Sequence, residues 1–229
     1  MSVKSWNESL PRYLDHTVLR PEATKADVLR LCAEAREQGF VVIFVPPCYV
    51  DEAVAAVAGT DVQVGIPIGF PLGGHSTHAK VTEAMEAVAH GARVLDMVIN
   101  ISRLKSGDYD VVRNDMAAVV QATPGVNHKV ILETCLLTRE EKITACRLAV
   151  EAGMDYVKTS TGFNQAGATV EDVRLMKEAV AGRAKVKASG GIRDWKTTRE
   201  LLEAGADRIG TSASLKILNE WRASLVALR

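Results

Sequence analysis

The chain has 229 residues, 47% of them hydrophobic, enough to bury one sizeable core. Its 28 Lys and Arg side chains balance 28 Asp and Glu, so no basic field is available to hold nucleic acid. No apolar run approaches the roughly 20 residues of a membrane span, and residues 1–11 are polar with no signal-like stretch; the expectation is a soluble, cytoplasmic protein without membrane partners.

From Tyr13 onward, short Val- and Ile-rich runs alternate with longer segments of helical period, the pattern of successive βα units. The first predicted strand is 13–19, and Thr24 with Asp27 forms a capping pair that opens a helix ending at Gly39. Strands at 41–46 and 62–69 follow, then a helix ending at Gly91 and strands at 93–100 and 129–133. Thr138 with Glu141 opens a helix that Gly153 closes, ahead of a strand at 156–161. Thr169 with Asp172 opens another, ahead of a strand at 185–190; a helix end at Gly205 precedes the last strand at 208–212. Eight such units without a linker predict one domain over 1–229, an α/β single-domain (β/α)8 TIM barrel with the barrel proper over 13–224. A doubly wound open sheet is the alternative, against which no GxGxxG follows the first strand. Cys32, Cys48, Cys135 and Cys146 lack CxxC spacing and read as reduced thiols.

Strands covered on both faces should be nearly uniformly apolar, so a charge inside one needs a reason. Five stand out: Asp15, Asp96, Glu133, Lys158 and Lys187. Alternate residues of a barrel strand point inward, and reacting groups of this fold gather at the strands' carboxyl ends. The charges read either as a structural ion-pair network or as a reactive centre. For the second, burial and a neighbouring ammonium both lower a lysine's pKa, freeing an amine that attacks a carbonyl to form an iminium. Asp96 is the carboxylate best placed to move protons.

Glycine-containing turns follow the last three strands: Thr161-Gly162-Phe163, Ser189-Gly190-Gly191-Ile192-Arg193 and Gly210-Thr211-Ser212. Glycine lets backbone N–H groups approach an anion, and helices starting beyond these turns would add their positive dipole ends. The three turns with Arg193 predict a phosphate site. His75 and His78 could be metal ligands, but no third ligand stands at convincing spacing, and a loop or helix start is the plainer reading. Met85, Met97, Trp195 and Trp221 read as packing.

From about Leu14 to Leu218 the chain resembles the deoxyribose-phosphate aldolases, class I aldolases of deoxynucleoside breakdown. The matching motifs are Leu14-Asp15-His16-Thr17, the Gly69–Gly73 loop leading to Thr77, Lys80 and Glu83, the strand with Asp96, the strand from Lys129 to Thr134, Val157-Lys158-Thr159-Ser160-Thr161-Gly162-Phe163, Lys187-Ala188-Ser189-Gly190-Gly191-Ile192-Arg193 and Arg208-Ile209-Gly210-Thr211-Ser212. The resemblance implies that Lys158 forms a Schiff base with the carbonyl that becomes acetaldehyde. Lys187 would depress its pKa, Asp96 would act as acid and base through water, and Asp15 would position or relay. It implies that the phosphorylated deoxy sugar is held by Thr159, Gly162, Gly190, Gly191, Arg193, Gly210 and Ser212, that no metal or organic cofactor is needed, and that the chain forms a homodimer or larger homo-oligomer.

The sequence departs from that family at three places. Phe44-Val45-Pro46-Pro47-Cys48 stands where many members carry a cysteine and a polar residue before a single proline, and Phe163 where some carry a lysine. No tyrosine occurs in the stretch ending at Arg229, where some members use one in proton transfer. A Schiff-base barrel acting on another phosphorylated sugar and a non-catalytic sugar-phosphate-binding barrel stay open as readings.

Overall fold

The computed structural model describes Trp6 and residues 9–226. Residues 1–5, 7, 8 and 227–229, on which the expectations about a signal stretch and a tail tyrosine partly rest, lie outside the described residues. The chain runs β1 (Leu14–Thr17), α1 (Lys25–Gln38), β2 (Val42–Phe44), α2 (Val50–Ala56), β3 (Gln63–Ile68), α3 (Thr77–Ala89) and β4 (Val94–Val98). It continues through α4 (Ile101–Lys105), α5 (Tyr109–Ala122), β5 (Asn127–Ile131), α6 (Arg139–Glu151), β6 (Tyr156–Lys158), α7 (Val170–Val180), β7 (Lys185–Ser189), α8 (Trp195–Glu203), β8 (Arg208–Thr211) and α9 (Ser214–Val226). The eight strands are parallel and close into a barrel, β1 pairing with β8. An open sheet is thereby excluded. None of the described helices is long and apolar enough to cross a membrane.

Local chemistry explains where the helices start. Thr24 and Asp27, and Thr138 and Glu141, each satisfy one another's free amides in a reciprocal capping box. Thr169 accepts from the Asp172 amide, but the Asp172 carboxylate turns to Lys142 at 2.6 Å, so this third cap is one-sided. Gly39 closes α1 at φ 78°, a left-handed conformation that a side chain would strain.

Strand β5 begins at Asn127, paired with Val94, and ends at Ile131, two residues earlier at each end than the sequence suggested. Glu133 lies at φ 57°, outside the extended region a ladder requires. Strands β2 and β6 have three residues each, because the chain turns into the mouth loops directly after Phe44 and Lys158.

Alternation along the strands divides the buried residues into two layers. Residues such as Ile43, Leu95, Val130, Val157, Val186 and Ile209 belong to a continuous core between sheet and helices, whereas Val42, Phe44 and Val94 form a separate small cluster. A side chain at Gly65 would sit 2.7 Å from the Phe44 ring, so β3 carries glycine where that ring lies. Met97, Trp221 and the partly buried Trp195 pack as expected, but Met85 is 52% exposed and does not.

Candidate active site

Register places the charged residues side by side. Asp96 pairs with Lys129 across β4 and β5, Lys158 with Lys187 across β6 and β7, and Lys187 with Arg208 across β7 and β8, while Asp15 faces Gly210. The Asp96 carboxylate is fully buried, and its Oδ2 accepts from both Lys158 Nζ and Lys187 Nζ at 2.7 Å. Lys187 Nζ also reaches Asp15 Oδ2 at 2.6 Å. Arg208 Nε donates to Asp15 Oδ1 at 2.5 Å, and Lys129 Nζ stands 3.6 Å from Asp96 Oδ1. The Phe44 ring lies beneath, 3.9 Å from Lys187 Nζ and 5.5 Å from Lys158 Nζ, where its negative face meets the ammoniums.

These surroundings shift proton affinities in opposite directions. Burial pushes Lys158 down from 10.5; Asp96 pulls it back and Lys187 adds to the push, leaving it at about 8. Lys129 ends at about 8 as well, chiefly through burial. Burial works to raise both carboxylates, but the surrounding cations win: Lys158, Lys187 and Lys129 hold Asp96 at about 2, and Arg208 and the lysines hold Asp15 far below the carboxylate range. A buried amine near neutrality beside an ionised carboxylate can attack a carbonyl while its partner moves protons.

Above this cluster a cavity of about 690 Å³ opens at the carboxyl ends of the strands. Lys158, Gly162, Gly190, Gly191, Arg193, Gly210 and Ser212 line it. Lys187, Asp96 and Asp15 do not; they lie among the fully or nearly fully buried residues, with Lys158 reaching from them to the cavity. Thr159 is absent from the wall too, its hydroxyl donating to the Ser189 carbonyl at 2.9 Å and accepting from the Ser189 amide at 3.0 Å, which ties β6 to β7. Its predicted contact with the sugar phosphate is replaced by this bracing role. Gly210 lies deeper than the other glycines, since a side chain there would meet Lys187 Cε at 2.9 Å.

The mouth loops are fixed to one another through backbone. A side chain at Gly167 would lie 2.0 Å from the Gly190 carbonyl oxygen, so the loops after β6 and β7 touch without room for a methyl group. The Thr211 hydroxyl donates to the Ile192 carbonyl at 2.7 Å and accepts from the Ala213 amide at 2.9 Å, joining the loops after β7 and β8. Asp194 caps α8 through the Thr197 amide, so that helix end is already met by a carboxylate rather than left open for an anion. Glu133 stands apart from the lysines: it accepts from the Thr161 amide at 3.2 Å, the Thr161 hydroxyl and Asn164 Nδ2 at 3.0 Å, bracing the loop after β6. Phe163 lines the cavity and meets Phe70 edge-on at 5.2 Å.

The match to known proteins is extensive. Residues 11–220 fit the model of the DeoC/LacD family aldolase. The chain belongs to that family. It is 52% identical over 216 residues to a deoxyribose-phosphate aldolase of Thermoanaerobacter sp., covering 93% of this chain and 97% of the relative. It is 51% identical over 210 residues to a deoxyribose-phosphate aldolase of Brevibacillus brevis, covering 92% and 95%. The solved structure described as the unique tetrameric structure of deoxyribose phosphate aldolase from Aeropyrum pernix superimposes with a TM-score of 0.88 at 32% identity, covering 95% of this chain and 93% of that one.

In this DeoC/LacD-family aldolase two members of the ionic cluster went unrecognised in the sequence, Lys129 and Arg208. Both looked like polar starts of strands. Alternation carried the signal: with Ile131 and Gly210 facing inward, residues two earlier face inward too. The motif residues Thr77, Lys80 and Glu83 support rather than line the site. Lys80 is buried against Asp115 at 2.6 Å and the Val98 carbonyl at 3.0 Å, Thr77 donates to Asp115 at 2.8 Å, and Glu83 accepts from the Gly69 amide at 2.7 Å. His75 precedes the helix cap Ser76 and His78 lies in the first turn of α3, and no group of three His, Cys, Asp or Glu among the described residues could hold a metal ion. The four cysteines are free.

Proposed function

We propose that the protein is a class I aldolase that reversibly cleaves 2-deoxy-D-ribose 5-phosphate to D-glyceraldehyde 3-phosphate and acetaldehyde, in deoxyribonucleoside breakdown. The observation that carries this reading is the Lys158 amine, lowered to about 8, at the floor of the cavity and 2.7 Å from a carboxylate shared with Lys187. The aldolase names of relatives at about half identity supply the substrate.

Neutral Lys158 attacks the C1 aldehyde, and loss of water gives an iminium. Asp96, through a water, takes the proton of the C3 hydroxyl. The C2–C3 electron pair then moves into the iminium, releasing glyceraldehyde 3-phosphate and leaving an enamine. Protonation at C2 and hydrolysis free acetaldehyde and the lysine. Lys187 adds to the burial that lowers the Lys158 amine and returns protons through Asp96, and Asp15 fixes Lys187. The phosphate rests on the amides of Gly162, Gly190 and Gly191 with Arg193 and Ser212; the backbone contacts between these loops support that role.

The assignment fits a cytoplasmic enzyme that works as a homo-oligomer, as the tetrameric Aeropyrum pernix relative suggests. The test is a coupled assay of triose phosphate release from 2-deoxy-D-ribose 5-phosphate, whose co-product is acetaldehyde, and from D-ribose 5-phosphate, whose co-product would be glycolaldehyde. Release from the deoxy sugar alone supports the assignment, and equal release or none from the deoxy sugar overturns it.

A further inference from the structure

Arg208 is a partly buried guanidinium that the reaction above does not use. Its side chain is 14% exposed, its Nε holds Asp15 at 2.5 Å and its Nη1 donates to the Arg12 carbonyl at 3.1 Å. Its Nη2 is buried with no hydrogen-bond partner, although an unpaired donor of this kind costs stability.

The groups around it come from every side of the barrel. Strand β1 brings Asp15, β4 Asp96, β5 Lys129, β6 Tyr156 and Lys158, and β7 Lys187, with Lys185 at 5.6 Å over the Tyr156 ring. Strands β2 and β3 contribute Val42, Phe44 and Gly65, which carry no charge. Fully protonated, the network therefore holds four cations, Arg208, Lys129, Lys158 and Lys187, against the carboxylates of Asp15 and Asp96. A buried excess of like charge is costly, and shedding a proton relieves it. Arginine cannot shed one. Lys187 is held by two carboxylates at 2.6 and 2.7 Å, Lys129 stands 3.6 Å from one and is closed off from the cavity, and Lys158 has one at 2.7 Å and is the one of the three lysines that lines the cavity.

We propose that Arg208 is a positioning residue: its permanent charge, placed through Asp15, makes the network release the proton of Lys158 and so sets the pH at which the amine becomes reactive. Arg208 helps hold the Asp15 carboxylate low and adds to the lowering of Lys129. The proposal rests on the Schiff-base reading of Lys158, and its test separates the two.

Acetaldehyde and cyanoborohydride are added between pH 6 and 10, and the rate of adduct formation on the Lys158 peptide is followed for the parent and for Arg208→Met, Arg208→Gln and Arg208→Lys. The neutral variants should move the inflection up by about one pH unit, so that adduct formation at pH 7 falls about tenfold, and Arg208→Lys should restore it. An unchanged inflection in both neutral variants overturns the role of Arg208 while leaving the Schiff base intact. Absence of adduct in the parent overturns the Schiff-base reading and this proposal with it. If neither neutral variant folds while Arg208→Lys does, the charge serves stability, and the proposal is again overturned.

Discussion

Replacing Lys129 by methionine should stabilise the protein at neutral pH. Lys129 is 1% exposed, and Asp96 Oδ1 lies 3.6 Å from its Nζ, beyond hydrogen-bond reach. Burial leaves its pKa at about 8 against an ordinary 10.5. The folded state therefore gives up this proton earlier than the unfolded chain, and between those values the unfolded chain binds more protons, so stability rises with pH. At about 1.4 kcal/mol per pH unit, the penalty present below pH 8 is about 3 kcal/mol. Methionine has nearly the same length and packs its sulfur against the Phe44 and Tyr156 rings, which lie 5.5 and 5.2 Å from the ammonium. Asp96 keeps two ammoniums at 2.7 Å but loses its third cation, which offsets part of the gain. The expected gain is about 1–3 kcal/mol at pH 7, roughly 2–12 °C in Tm for a chain of this size, shrinking towards zero by about pH 10.5. Denaturant titrations of both proteins at pH 7 and at high pH measure it. A variant less stable than the parent at pH 7, or a gain that does not change with pH, would refute the reasoning.

Because Lys158 must be neutral to react, kcat/KM should rise about tenfold per pH unit up to about pH 8 and then level; a profile flat from pH 6 to 9 would contradict the lowered amine. Asp96→Asn keeps the side-chain shape and removes the proton carrier, and turnover should fall by about 10²–10⁴-fold in the coupled assay, with circular dichroism checking that the barrel is intact. Gly167→Ala forces the loop after β6 off the Gly190 carbonyl. It should raise KM for the phosphorylated sugar at least about tenfold, yet leave trapping of acetaldehyde, which has no phosphate, nearly unchanged.

The barrel was legible because its units repeat: Val- and Ile-rich runs, two complete capping boxes and glycine helix ends mark most of its boundaries. Helix α4, with five residues, carried too little periodicity to stand out. Within the site, Asp15, Asp96, Lys158 and Lys187 were conspicuous as charges flanked by apolar neighbours, and the fold brings them together. By sequence Lys129 and Arg208 fell at the amino ends of their strands, where a charge looks like ordinary solvent exposure; register instead sets Lys129 in the middle of β5 beside Asp96 and Arg208 beside Lys187. Thr159 shows the converse error. It borders Lys158 in sequence, but a strand sends neighbours to opposite faces, so its hydroxyl serves the sheet and not the cavity. The interior ring of Phe44 was noticed only as a departure, because the glycine that gives it room, Gly65, comes from another strand.

The whole mechanism turns on Lys158 as the nucleophile. It is tested most directly by borohydride reduction in the presence of acetaldehyde, followed by peptide mass mapping of the parent and of Lys158→Ala and Lys187→Ala. The expected product is an N-ethyl lysine at position 158, lost in Lys158→Ala and formed more slowly at pH 7 in Lys187→Ala. An adduct confined to Lys187, or none in a folded parent, would contradict it.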